Sequence, residues 1–120
     1  MKTHKDLIVW QQALNFVTTI YTVTNSYPES EKFGLINQIR RSAVSIPSNI
    51  AEGAARNHSK EFIQFLYIAL SSASELDTQI RISENLEFLN KIDSKELLEE
   101  LESISKMIQG LIRSVKNTSN

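Results

Sequence analysis

The sequence contains no cysteine, so it can form neither a disulfide nor a thiolate metal site, and nothing in it favours an oxidising compartment. No apolar run approaches the roughly 18 residues that a membrane-spanning helix needs. The N-terminal residues enter an amphipathic segment without the small-residue cleavage site of a signal peptide. These absences predict a protein that is neither secreted nor inserted in a membrane, and therefore a cytoplasmic one.

Glycine and proline are scarce, with three and two residues respectively in a chain of 120. Hydrophobic residues make up 41% and charged residues 22% of the chain, which is typical of a helix-rich globular protein and not of a disordered or fibrous one. The length suits one domain with a real hydrophobic core. We therefore predict that residues 1–120 form a single domain.

The motifs of catalysis and cofactor binding are also missing. Gly34, Gly53 and Gly110 stand apart, so the sequence has no phosphate loop or dinucleotide fingerprint, and no serine lies in a Gly-x-Ser-x-Gly motif. Neither His4 nor His58 follows a glutamate by three residues, the spacing of a di-iron carboxylate site in a helical bundle. We predict a protein that is not an enzyme and has no cofactor, metal or small-molecule substrate.

The sequence does contain four segments in which apolar residues recur every three or four positions, the period of helices with one buried face. We predict helices over residues 6–25, from an N-cap at Ser30 to residue 53, over residues 59–86, and from Asp93, which forms a capping box with Glu96. Short connections between helices of this length predict an antiparallel, up-down-up-down four-helix bundle. The predicted core residues are Leu7, Trp10, Leu14, Val17 and Tyr21 on the first helix, Ile36, Ile39, Ala43, Ile46 and Ile50 on the second, Phe62, Leu66, Ala69, Ala73, Leu76 and Ile80 on the third, and Leu97, Leu101, Ile104, Ile108, Leu111 and Val115 on the fourth.

Pro47 falls inside the second predicted helix. Its ring removes one intrahelical hydrogen bond and clashes with the carbonyl of Ala43. The apolar pattern nevertheless continues unchanged from Ile46 to Ile50. We therefore predict a helix that is kinked at Pro47 and not interrupted there.

The apolar surface exceeds what one bundle needs, because apolar residues cover an arc of roughly 260° on the third helix and a second stripe runs along the first. A monomer rarely leaves such a surface in water, so the excess predicts a homo-oligomer, with a broad but ordinary core as the alternative. The residues predicted to form the subunit interface are Val9, Phe16, Ile20, Ile63, Tyr67 and Leu70.

The net charge is −1, but residues 1–60 carry seven basic against four acidic side chains (+3) and residues 61–120 carry six against ten (−4). Arginine forks suit phosphate groups. The predicted nucleic-acid contacts are Arg40, Arg41, Arg56 and Lys60. The alternative is that Arg56 pairs with Glu52, four residues earlier, and that the other cations are simply solvated.

The block of residues 35–53 contains the run Pro47-Ser48-Asn49-Ile50-Ala51-Glu52-Gly53. It resembles the bacterial four-helix bundle family first noticed in intervening sequences of large-subunit ribosomal RNA genes. Matching positions elsewhere in the first ninety residues are Trp10, Ala13, Tyr27, Pro28, Arg56, Phe62, Phe65, Leu66, Ala69, Ser72, Glu75, Leu76 and Thr78. The resemblance implies a four-helix bundle that assembles into a ring of five subunits. A relative, the accessory variability determinant protein of diversity-generating retroelements, is a basic pentamer that binds nucleic acid and a reverse transcriptase.

Two functions remain open. One is an oligomeric accessory protein that binds RNA or DNA, and with it a reverse transcriptase or another protein. The other is a structural or protein-interaction scaffold with no nucleic-acid role.

Overall fold

The structure is a computed structural model that describes residues 3–118. This part of the chain contains four α-helices, two short 3-10 turns and no β-strand. The elements are a turn at His4–Asp6, α1 at Ile8–Thr24, a turn at Glu29–Glu31, α2 at Leu35–Ala54, α3 at Ser59–Asn85 and α4 at Lys91–Thr118. The prediction of an all-helical protein with four helices is confirmed. No helix within residues 3–118 is both long enough and apolar enough to cross a membrane.

Two predicted helix starts are wrong. Residues 29–31 form a 3-10 turn, and α2 begins only at Leu35, where the Glu31 Oε1 accepts the free backbone N–H at 3.1 Å. The fourth helix begins two residues before Asp93, and Asn90 caps it because its Oδ1 accepts the Asp93 N–H at 2.7 Å. Glu31 and Asn90, and not Ser30 and Asp93, therefore satisfy the N–H groups that a helix leaves unpaired at its start.

The rotation of α1 about its axis also differs from the prediction. Its buried face consists of Val9, Ala13, Phe16, Ile20 and Thr24. Predicted core residues Leu14 and Tyr21 are 45% and 41% exposed, because they lie on the flank of α1 that borders α2.

This rotation corrects the predicted subunit interface. Val9, Phe16 and Ile20 are at most 5% exposed in the single chain. Because they already fill the core of their own subunit, they cannot also form a contact between subunits, and that part of the prediction is wrong.

The helices surround one core. α1 packs on α2, α2 on α3, α3 on α4, and α4 returns to α1. The predicted core faces of α2 and α3 are confirmed. The predicted core face of α4 is confirmed from Leu97 to Ile108, but beyond it Ile112 is buried and the predicted Leu111 is only half-buried. The most buried large side chains are Phe16, Ile20, Ile39, Ile46, Ile50, Leu66, Leu76, Ile80, Leu101, Ile104 and Ile108.

α2 remains one helix through Pro47. Near this residue the Asn49 side-chain amide donates to the carbonyl and the hydroxyl of Ser45, at 2.8 and 2.9 Å. Near the end of α2, Gly53 lies against α3 so closely that an added Cβ would be 2.7 Å from the Cβ of Phe65. The two helices therefore approach each other at Gly53 more closely than any side chain there allows.

Candidate nucleic-acid interface

The four predicted nucleic-acid contacts do not form one cluster. Arg40 and Arg41 lie in the second turn of α2, whereas Arg56 lies in the connection between α2 and α3 and Lys60 in the first turn of α3. The fifteen residues from Arg41 to Arg56 correspond to about 22 Å at the rise of an α-helix. Arg41 and Arg56 therefore cannot contact the same phosphate group.

Arg40 is engaged within the bundle. Its Nε donates to Thr24 Oγ1 at 2.9 Å, and its Nη2 donates to the Tyr21 carbonyl at 3.3 Å and to Asn25 Oδ1 at 3.1 Å. The guanidinium carbon also lies 4.4 Å from the centre of the Tyr21 ring. Because the last carbonyls of a helix lack partners and favour a positive charge, Arg40 ties α2 to the C-terminal end of α1.

Arg56 is also paired. Its Nη2 lies 2.9 Å from Glu52 Oε2, and its guanidinium carbon lies 4.9 Å from the centre of the Phe65 ring. The predicted pairing with Glu52 is confirmed. This contact neutralises Arg56 and leaves Lys60 as the exposed cation of this end of the molecule, with no ion-pair partner in the part of the chain that the structure describes.

A groove of about 600 Å³ runs between the end of α1 and the first half of α2, and we term it the α1–α2 groove. Its lining residues are Tyr21, Lys32, Phe33, Ile36, Asn37, Arg40, Arg41, Val44 and Ser45. Three of these described residues are cationic and none is acidic. The groove therefore presents a positive field beside apolar and aromatic surface.

The ring of Phe33 is the most exposed large apolar side chain among the described residues, at 88%. It lies in the connection before α2, and the Lys32 ammonium is 5.7 Å from its ring centre. Sequence reasoning missed Phe33 because the second helix was predicted to start at Ser30, which placed Phe33 inside a helix and not in the connection before α2. The available signal was an aromatic residue outside every core pattern, directly beside a lysine.

Arg41 is the arginine of this groove that remains available to contact a ligand. It is exposed and has no hydrogen-bond or ion-pair partner within residues 3–118. Glu75 on α3 lines a neighbouring cleft together with Arg41, but it accepts the Ser42 hydroxyl and forms no ion pair with Arg41 among the described residues. A ligand phosphate would therefore meet Arg41 and Lys32 without displacing an ion pair.

The α1–α2 flank continues beyond Val44 as a second cleft, of about 250 Å³. It is mostly apolar, and its walls include Trp10, Leu14, Val17 and the buried Pro47. The predicted core stripe of α1 is thus one wall of a surface cleft.

A polar layer joins α2 to α3 on the opposite flank of α2. The Ser42 hydroxyl donates to Glu75 Oε1 at 3.0 Å, and the hydroxyls of Ser45 and Ser72 lie 2.7 Å apart. Gln79 Oε1 is buried nearby without a partner among the described residues. These contacts account for the small polar side chains on the facing surfaces of both helices.

The other predicted interface residues lie on the flank between α3 and α4. Ile63 and Leu70 are half-buried against the core, and Tyr67 is 48% exposed. The Lys116 ammonium donates to the Tyr67 hydroxyl at 3.2 Å. Of this set, Tyr67 presents the most apolar surface to solvent.

A cleft of about 800 Å³ lies between α3 and α4 and is lined by charges of both signs. Two of its cations pair on their own helices, Arg81 with Asp77 at 2.7 Å and Lys95 with Glu99 at 4.0 Å. Within residues 3–118, no three His, Cys, Asp or Glu side chains are grouped as metal ligands would be. The α1–α2 groove is therefore the better candidate for an anionic ligand.

Comparison with known proteins identifies the family. Residues 5–110 match the family model described as 23S rRNA-intervening sequence protein. A solved structure of a protein with unknown function from the S23 ribosomal protein family of Bacteroides thetaiotaomicron is 26% identical, with a TM-score of 0.79 over 88% of this chain and 98% of that one. A search of curated proteins gave no significant match. Since the family model covers most of the chain, this protein belongs to the family of 23S rRNA-intervening sequence proteins.

Proposed function

We propose that this protein is a non-enzymatic, self-associating helical bundle that binds nucleic acid through the α1–α2 groove. The observation that carries this proposal is the groove itself, which is lined by Lys32, Arg41 and the exposed ring of Phe33 and by no carboxylate. Cations supply the affinity of most nucleic-acid sites, and exposed aromatic rings supply stacking surfaces.

The proposed contacts therefore change from those predicted. Arg40 borders the groove but is held by α1, and Arg56 is held by Glu52. Arg41 becomes the main phosphate contact, with Lys32 beside it. Lys60 is too far along the molecule to share the same phosphates with Arg41.

Self-association into a ring of five subunits is the second part of the proposal. It is supported by large apolar side chains that remain exposed in the single chain, namely Ile8 at 63% and Tyr67 at 48%. The short connections support an up-down-up-down order of the helices, and Pro47 supports a kink in α2. A cytoplasmic location stays a prediction.

A scaffold without nucleic-acid binding is the alternative function. It is favoured by the internal pairing of Arg40 and Arg56, which gives two of the four predicted contacts a partner within the chain. In that case the apolar α1–α2 flank would bind another protein, such as a reverse transcriptase.

The nucleic-acid proposal is tested by titrating labelled single-stranded RNA, structured RNA and duplex DNA with the protein at about 50 and 200 mM salt. If a ring neutralises about four phosphates in total, the affinity for the preferred nucleic acid should fall about a hundredfold between these salt concentrations. Arg41→Glu should weaken binding by more than tenfold. Arg113→Glu on α4 makes the same change in net charge away from the groove and should bind almost as the wild type does.

Absence of binding to all three nucleic acids at the lower salt concentration, with the helix content intact, would refute this proposal. Equal losses of affinity in the Arg41→Glu and Arg113→Glu variants would show that binding depends only on net charge. The groove would then not be the binding site.

The self-association proposal is tested by sedimentation at tens of micromolar protein. The wild type should sediment as a homo-oligomer, most simply of five chains, and Tyr67→Asp should shift it towards smaller species because a charge would be buried at the contact. A wild type that sediments as a monomer would contradict this part of the proposal.

A further inference from the structure

We infer that the α1–α2 groove selects single-stranded over duplex nucleic acid, by stacking one unpaired base on the ring of Phe33. This inference rests on the proposed function and specifies its ligand. It starts from Phe33, whose ring is 88% exposed and makes no contribution to the core.

The ring of Phe33 is exposed because of its position in the chain. Glu31 ends the preceding 3-10 turn, Gly34 lies before the first residue of α2, and Phe33 stands between them. The ring therefore lies at the mouth of the groove instead of on a core-facing helix surface. Such a large apolar ring is stabilised when a ligand removes it from water.

The chemistry around the ring matches one nucleotide. Lys32 and Arg41 can contact phosphate oxygens, while the Asn37 amide can hydrogen-bond to the edge of a base. The volume of about 600 Å³ falls within the range of about 300–1,000 Å³ that is usual for small-ligand sites. The lining includes no carboxylate, which favours an anionic partner.

The preference of the groove for single strands follows from the stacking of a base on Phe33. In a duplex, both faces of every internal base are covered by neighbouring base pairs, so no face is free to lie on Phe33. An unpaired base has a free face and can be splayed out of the strand, and aromatic side chains are the usual platforms for it.

The test measures the binding of a labelled oligouridylate of twelve nucleotides, and of the same strand annealed to oligoadenylate, at about 50 mM salt. The wild type should bind the single strand at least tenfold more tightly than the duplex. Phe33→Ala should weaken single-strand binding by at least fivefold, the lower limit for loss of one stacked base. Phe33→Trp should bind at least as well as the wild type.

Ile92→Ala is the matched control, because Ile92 is 72% exposed and lies at the start of α4, outside the groove. It should leave single-strand binding unchanged. Since Phe33 and Ile92 are both exposed, both variants should keep the helix content of the wild type.

The outcomes separate this inference from the proposed function. If Arg41→Glu weakens binding but Phe33→Ala does not, or if the duplex binds as well as the single strand, the nucleic-acid function stands and base stacking is refuted. If the wild type binds neither nucleic acid, both fail. If Phe33→Ala lowers the sedimentation coefficient without RNA, Phe33 is a contact between copies of the chain and the inference is overturned.

Discussion

Two glycines in helices allow the same substitution to be compared at a crowded and at an open position. In a helix interior, replacing glycine by alanine is favourable by about 1 kcal/mol, because alanine loses less conformational entropy. At Gly110 in α4, an added Cβ would meet only the Arg113 Nη2 at 3.8 Å, an ordinary contact. Gly110→Ala should therefore increase the free energy of unfolding by about 0.5–1 kcal/mol.

Gly53→Ala should have the opposite effect. The added Cβ would lie 2.7 Å from the Cβ of Phe65, 2.9 Å from Cδ1 of Phe62 and 3.2 Å from the carbonyl oxygen of Phe62. The ring of Phe62 can rotate, but the Phe65 Cβ and the Phe62 carbonyl move only with α3. Overpacking of this kind costs about 1–3 kcal/mol, and the upper half of that range, less the helix gain, leaves a net loss of about 1–2 kcal/mol.

The assay is urea unfolding followed by circular dichroism, with both variants and the wild type at two protein concentrations. Two concentrations are needed because self-association couples stability to concentration. The midpoint should fall for Gly53→Ala and rise for Gly110→Ala. If Gly53→Ala is as stable as the wild type, α2 and α3 are not packed as closely as described. If Gly110→Ala is destabilising, another copy of the chain covers this part of α4.

Two further predictions concern residues at the α1 end of the bundle. Arg40→Ala should lower the free energy of unfolding by about 1–2 kcal/mol, because it removes hydrogen bonds to Thr24, Tyr21 and Asn25. Arg41→Ala should change the free energy of unfolding by less than about 0.5 kcal/mol. Equal urea midpoints for these two variants would contradict the structural role of Arg40. Burial raises the pKa of the Tyr27 hydroxyl, and the polar Ser83 side chain opposes this only in part. Because the unfolded chain ionises first, near the ordinary pKa of about 10, the stability that Tyr27 contributes should be complete below that pH and lost as the pH rises towards the folded-state pKa. Tyr27→Phe should reduce the alkaline decline of the urea midpoint, and an unchanged decline would show that Tyr27 is not its source.

The sequence predicted the fold class and most of the core because α2 and α4 each carry one apolar stripe that clearly exceeds its competitors, and because the stripe chosen on α3 is the one that the structure buries. α1 carries two, and the pattern alone could not decide which faces the core. The decision depends on the neighbouring helices, which accept Phe16 and Ile20 and leave Leu14 and Tyr21 at the groove.

The candidate site was predicted less completely. The Arg56–Glu52 pair follows from local spacing on one helix, and the structure contains it. The contacts of Arg40 join residues fifteen to nineteen positions apart, so they depend on where the end of α1 lies relative to α2. Phe33 belongs to a connection, where apolar periodicity carries no information.

Cross-linking would show whether nucleic acid binds in the α1–α2 groove. The wild-type protein would be irradiated with oligouridylate, digested with trypsin, and analysed by mass spectrometry for peptides that carry a nucleotide. A cross-link to the oligouridylate is expected in the tryptic peptide of residues 33–40, which follows Lys32 and contains Phe33 and Asn37. Cross-links confined to residues 57–60 or to α4, or none at all, would contradict this expectation.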